Sequence, residues 1–159
     1  MRKPSDYTGG FFCDRNSSRE IYFMAGYSGT PLLKKLGIKA GDSLIAIGEP
    51  ASYWDWLAPL PEKVEVGEKG VKGSADFIHL FVKERKTFEK EFRKHKKWLK
   101  KDGMLWVSWP KKSTKVPTDL DENVIRRFGL NNGLVDVKVC AVDEIWSGLK
   151  FMFRLKERE

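Results

Sequence analysis

Apolar residues recur in two rhythms along this chain, and each rhythm marks a different element. Organised sequence begins near Met24. Before it, in residues 1–23, breaks such as "TGG" and "RNSS" leave no clear periodicity. "GTPLLKKLGIKAGD" predicts a short helix, with Thr30 suited to the N-cap, Pro31 to the first helical position and Gly37 to the stop. "SLIAIG" (Ser43–Gly48) is a short apolar run between turn signals, as a buried strand requires. "SYWDWLAPL" reads as a short aromatic helix ended by Pro59, and "KVEVGE" as a short strand whose place in the sheet stays open. A glycine-rich connection, "GEKGVKGSA", leads to "DFIHLFV" (Asp76–Val82). This run is almost wholly apolar, as in a central parallel strand covered on both faces.

The next segment changes period. In "KERKTFEKEFRKHKKWLKK" (Lys83–Lys101), Phe88, Phe92, His95 and Leu99 form one helical stripe, and Lys86, Lys90, Lys94, Lys97 and Lys101 run down the other side. Asp102-Gly103 is the expected end of this helix, and "MLWVSW" the next buried strand. "TDLDENVIRRFG" carries helix signals at both ends. Thr118 is the expected cap, acidic residues fill the first turn, and Arg126, Arg127 and Gly129 mark the last turn and stop. Leu120, Val124 and Phe128 are its expected core face. Two alternating strands close the chain. Val135, Val137, Val139 and Ala141 share one face in the first, and Leu149, Phe151, Phe153 and Leu155 share one in the second. "DEIWSG" between them is short enough for a hairpin loop. Strand–helix repeats followed by a hairpin predict an α/β, mostly parallel sheet of about six strands with an antiparallel C-terminal hairpin.

Composition narrows the class. With 159 residues, 41% of them apolar, the chain can build one core and is not a disordered polymer. No apolar run reaches membrane-span length, and "MRKPSDYTGG" lacks a signal-type apolar segment. Cys13 and Cys140 have no metal-like spacing, so no metal is expected and a cytoplasmic protein with reduced thiols is the simplest reading. The net charge of +8 is local: Lys83–Lys101 holds ten Lys/Arg against three Glu, and the rest is nearly neutral.

Two resemblances follow from these motifs. "LGIKAGD", "SLIAIG" and "LKKDGMLWVSW", then a helix and a hairpin, resemble the Rossmann-like fold of S-adenosylmethionine-dependent methyltransferases. That resemblance implies the strand order second, first, third, fourth, sixth, fifth, with the sixth antiparallel. "MAGYSGTPLLKKLGIKAGD", "LWVSWPKKS", "TDLDENVIRRFGL" and "GLVDVKVCAVDEIWSGLKF" are similar to a bacterial family known as domain of unknown function 3052, which brings no assigned activity. Its members resemble the chain from Met24 onward. We therefore read Met24 as the native start, residues 1–23 as an extension and 24–159 as one Rossmann-like domain. Codons for Arg19-Glu20 can form a purine-rich, ribosome-binding-like stretch, and a native peptide spanning Phe23–Met24 would refute this start. The methyltransferase resemblance implies S-adenosylmethionine as cofactor. Against it, the first turn, "AIGEPASY", has Gly48 alone, with Glu49 and Pro50 where further glycines are expected, so the residues themselves predict no cofactor.

Open parallel sheets bind ligands beyond the carboxyl ends of their strands. That rule gathers Gly48, Glu49 and Pro50, then Lys83, then Trp109, Lys111, Lys112 and Ser113, then Asp143, Glu144, Trp146 and Ser147 on one rim. Lysines and a hydroxyl suit an anionic small molecule, acids orient hydroxyl or amine groups, and indoles give flat walls. The plainer alternative is ordinary loop polarity. Glu49 and Asp143 form a candidate acid/base pair at a distance the sequence does not fix. His79 and His95 read as core histidines, and the tryptophan clusters as core. Two alternatives to the anion-binding reading remain. One is a methyltransferase-like enzyme. The other is a nucleic-acid- or ribosome-associated protein that binds phosphates along Lys86, Lys90, Lys94, Lys97 and Lys101.

Overall fold

The structure, a computed structural model, describes residues 31–158. The expected start at Met24, the extension 1–23 and the Thr30 cap lie outside the described residues.

Helix α1 (Leu32–Leu36) follows Pro31 and ends at Gly37 in the left-handed conformation, φ +85°. Then come β1 (Ser43–Ile47), α2 (Tyr53–Leu57), β2 (Glu65–Gly67) and β3 (Ala75–Phe81). After them follow α3 (Arg85–Lys96), β4 (Leu99–Pro110), α4 (Glu122–Asn131), β5 (Leu134–Ala141) and β6 (Trp146–Phe153). The sheet order is β2-β1-β3-β4-β6-β5. Strands β2, β1, β3 and β4 run parallel, whereas β6 is antiparallel to both β4 and β5. This is the expected α/β sheet, in the order that the methyltransferase resemblance implied. The "KVEVGE" segment does join it, as the three-residue strand β2, at the edge of the sheet among the described residues. From β2 the chain reaches β3 through residues 68–74 alone, with no helix or strand between.

Alternation along the central strands divides the core into two layers. Ile45, Ile78, Leu80, Leu105, Val107, Leu149 and Phe151 face α3 and α4. On that side Phe88, Phe92, Phe128 and Phe151 meet edge-to-face, with centroids 5.0–5.7 Å apart. This geometry adds to the stabilisation from burial. Leu44, Phe77, Phe81 and Trp106 face α1 and α2. The wholly buried Trp106 indole N–H donates to the Leu36 carbonyl at 2.9 Å, which satisfies its one donor.

Local elements differ from expectation where tertiary contacts override the sequence signal. Helix α3 stops at Lys96, not near Lys101. Leu99 reaches the core as the first residue of β4, paired with Ala75, while Phe77 already pairs with Met104. The long irregular start of β4 thus occupies residues assigned to the helix. The cap of α4 is Asp121, whose carboxylate accepts from the Val124 N–H at 2.9 Å. Gly129 does not stop α4. It lies within the helix, where a Cβ would come within 2.1 Å of the Phe151 ring, so the glycine lets α4 pack closely on β6. Ile125 and Gly129 are the fully covered α4 positions, with Val124 and Phe128 partly covered; Leu120 is buried just before the helix. In β5 a bulge intervenes: Asp136 pairs with Phe151 and Lys138 with Lys150, leaving Val137 extra. Val135 therefore sits on the opposite face from Val139. Leu155 is not in β6 but in an exposed 3-10 turn, Leu155–Glu157.

Candidate functional site

The carboxyl edge does collect the rim segments singled out in the sequence, and it shows how each is held. At the end of β1, Gly48 has φ +73°, and a Cβ there would lie 2.7 Å from the Phe81 carbonyl oxygen. Only glycine lets β1 and β3 end this close together. The following turn is closed by the Tyr53 N–H donating to the Pro50 carbonyl at 3.0 Å. Glu49 accepts a hydrogen bond from the Trp54 indole at 3.3 Å.

Beyond β3, the Lys83 side chain is exposed, and its carbonyl accepts from the Thr118 hydroxyl at 2.6 Å. Asp119 accepts from the Arg85 N–H at 2.7 Å. Thr118 and Asp119 were expected at the start of α4. They instead tie the loop after β4 to the start of α3.

Beyond β4, the Lys111 ammonium donates to the Asp143 carbonyl at 2.7 Å, and the Lys111 N–H donates to the Ile145 carbonyl at 2.8 Å. Asp143 in turn accepts from the N–H groups of Ile145 and Trp146, at 2.9 and 2.7 Å. Burial raises its pKa, against the pull of those two hydrogen bonds. Lys111 and Asp143 thus build the hairpin turn from within. Lys112 and Ser113 project from the same loop and are exposed. Trp109 packs in the layer of α3 and α4, whereas Trp146 packs in the layer of α1 and α2. The two indoles fill opposite sides of the sheet and form no common wall. Ser147 is half-buried and pairs with Trp109 across the β4–β6 ladder.

Three strands, β3, β4 and β6, separate the end of β1 from that of β5. At strand spacing this puts the backbones of Glu49 and Asp143 on the order of 15–20 Å apart. Their carboxylates therefore do not meet directly. His79 is wholly buried below this edge, with Tyr53 Oη 3.0 Å from Nδ1 and Ser108 Oγ 2.7 Å from Nε2. His95 is buried as well, its Nδ1 2.8 Å from the Glu91 carbonyl. Among the described residues, no three His, Cys, Asp or Glu side chains gather to hold a metal ion, and no helix is long and apolar enough to cross a membrane.

The basic residues lie elsewhere. Lys86, Lys90 and Lys94 project from α3, but Lys97 follows its last turn and Lys101 belongs to β4. The expected single stripe is broken where the chain turns from helix to strand.

One residue at the carboxyl edge escaped the sequence reading. Glu68 directly follows β2 and is exposed, twenty residues after Gly48. In dinucleotide-binding sheets an acid about 20 residues past the glycine turn receives the ribose hydroxyls. The spacing was available in the sequence, but the standing of β2 as a sheet strand was not.

No protein-family model matches the chain, and no curated protein matches it. Solved structures do. A SAM-dependent methyltransferase from Aquifex aeolicus is similar over 77% of this chain and 88% of its own, with 15% identity and a TM-score of 0.57. Geranyl diphosphate C-methyltransferase from Streptomyces coelicolor A3(2) is similar over 77% of each chain, with 10% identity and a TM-score of 0.54. Aeropyrum pernix fibrillarin, solved with natively bound S-adenosyl-L-methionine, is similar over 80% of this chain and 70% of its own, with 13% identity and a TM-score of 0.51. At these identities the likeness is one of architecture, and it agrees with the strand order and the antiparallel β6: the chain has the Rossmann-like fold of S-adenosylmethionine-dependent methyltransferases.

Proposed function

We propose that the chain binds an adenosine-containing ligand across the ends of β1 and β2, with S-adenosylmethionine and S-adenosylhomocysteine as the first candidates. One observation carries this reading: Gly48, in a left-handed conformation at the end of β1, is followed after twenty residues by the exposed Glu68 at the end of β2. Glu68 suits the ribose hydroxyls as an acceptor, and Gly48 leaves the end of β1 without a side chain. S-adenosylmethionine would supply an electrophilic methyl group. The fit is partial, because Glu49 and Pro50 replace further glycines and 68–74 carries neither strand nor helix. Binding is thus the reading, ahead of catalysis.

Isothermal titration with both ligands tests it. Binding that weakens about tenfold in Glu68→Gln, the loss of one charge-assisted hydrogen bond, is the expected result. Absence of heat at high ligand concentration would overturn it.

A second reading, an anionic small molecule, rests on the exposure of Lys83, Lys112 and Ser113 on the same rim. A thermal-shift screen with phosphorylated metabolites separates the two, since Lys83→Ala/Lys112→Ala abolishes stabilisation in this case only.

A further inference from the structure

The opposite, amino edge of the sheet carries a dense cluster of positive charge. Helix α3 ends at Lys96, the chain turns through Lys97 and Trp98, and β4 begins at Leu99. Loop 68–74 approaches from the side: the Gly73 N–H donates to the Lys97 carbonyl at 3.1 Å, and the Ala75 N–H donates to that of Trp98 at 2.8 Å. These turns line a groove with Lys72, Arg93, Lys96, Lys97, Lys100 and Lys101, against two acids, Asp102 and Glu157. A smaller cleft lined by Lys72, Lys97 and Trp98 adjoins it.

Two of these cations already have polar partners. Lys100 pairs with Asp76 at 3.0 Å, and Lys96 donates to the Asn132 carbonyl. Lys101 lies 4.7 Å from the centre of the Phe153 ring, and Arg93 5.0 Å from that of Phe128. For Lys72 and Lys97, both exposed, the neighbouring wall is the half-buried Trp98 indole. Five of the ten Lys/Arg counted in Lys83–Lys101 therefore line this groove, while Lys86, Lys90 and Lys94 stay on the outer face of α3. The Trp98 indole lies in the adjoining cleft, with the Lys94 ammonium 5.7 Å from its ring centre.

We propose that this amino-edge groove binds single-stranded nucleic acid, with the phosphates on Lys72, Lys97 and Lys101 and a base against Trp98. Cations along a groove give affinity for a phosphate backbone, and an indole in the adjoining cleft gives a surface on which an unpaired base stacks. A duplex offers phosphates but keeps its bases stacked inside, so it cannot use the ring. An acidic peptide would use the lysines but gain nothing specific from an indole between them. The proposal is independent of the carboxyl-edge ligand, because it uses none of the residues assigned to it.

Fluorescence anisotropy with labelled oligouridylate, its duplex form and heparin as competitor tests the proposal on the full chain. The single strand is expected to bind more tightly than the duplex. Replacing Lys72, Lys97 and Lys101 with Glu should weaken binding at least tenfold. At about 0.7 per neutralised phosphate, it should also flatten the plot of log affinity against log salt by about 2. A control triple of equal charge change, Lys86→Glu/Lys90→Glu/Lys115→Glu, lies outside the groove and should weaken binding far less. Circular dichroism and melting of both triples confirm that each is folded. Equal losses in the two triples, absence of salt-sensitive binding, or a duplex or heparin binding as tightly as the single strand would each overturn the proposal.

Discussion

His79 Nε2 and Ser108 Oγ lie 2.7 Å apart in the layer under α1 and α2, both wholly buried. With Tyr53 Oη on the other ring nitrogen, the imidazole has one partner at each end. A neutral ring can donate at one nitrogen and accept at the other, but an imidazolium would have to be charged in this dry layer. Burial accordingly lowers the pKa of His79 to about 3.

The first prediction is a pH dependence. The unfolded chain binds a proton at His79 near its ordinary value of about 6.5, and the folded chain only near 3. The contribution is complete above pH 6.5 and is lost as the pH falls toward 3, at up to about 1.4 kcal/mol per pH unit. Urea unfolding across this range should show His79→Gln with a shallower slope than the parent chain. Identical slopes would mean that His79 titrates normally in the fold.

Removing either partner strands one ring nitrogen. Tyr53→Phe and Ser108→Ala are each expected to cost about 1–3 kcal/mol, the penalty of an unsatisfied buried polar atom. In a double-mutant cycle the two losses should not add, since both act on one imidazole. Strict additivity would show that the pair is not coupled through His79.

Gly48 and Gly41 separate backbone strain from crowding. Both have positive φ, +73° and +81°, but a Cβ on Gly41 meets nothing within 4 Å. Gly41→Ala should therefore cost only the left-handed strain, about 1–2 kcal/mol. Gly48→Ala adds a clash with the Phe81 carbonyl, for a total of about 3 kcal/mol or more. Chemical denaturation of the two variants checks the difference, and equal losses would put the whole cost in the backbone.

Neighbouring lysines on the rim should behave differently without any ligand. Lys111→Ala deletes a charged donor to the Asp143 carbonyl and should cost about 1.5–3 kcal/mol. Lys112→Ala, exposed, should stay within about 0.5 kcal/mol. Melting curves of the apo variants decide this. A silent Lys111→Ala would return that ammonium to the list of ligand contacts.

The fold was legible because the strong periodic signals all lie in the central elements. "DFIHLFV" and "MLWVSW" became the middle of the sheet, and Phe88 and Phe92 became the buried face of α3. The errors fall where one residue type serves two outcomes. Leu99 continues the helical stripe of α3, but backbone pairing with Ala75 draws it into β4. Gly129 reads as a helix stop, yet its small size serves the contact with Phe151. At the rim, the sequence brought the right segments together but could not say which side chains were already engaged. Lys111 and Asp143 hold each other's loop, while Lys112 and Ser113 project freely from it. Nor could it separate Trp109 from Trp146, since the side of the sheet a residue takes depends on register, which sequence periodicity alone does not set across strands.

The extra residue in β5 has a colloidal consequence. Among the described residues β5 is the outermost strand on its side, and Val137 and Val139 are exposed on it. A regular strand with such residues would be an open template for another chain to extend the sheet. The bulge at Val137 interrupts the row of donors and acceptors and bends it, and Lys138 adds a charge at the same point. The shape of this last strand thus disfavours growth of the sheet at that border.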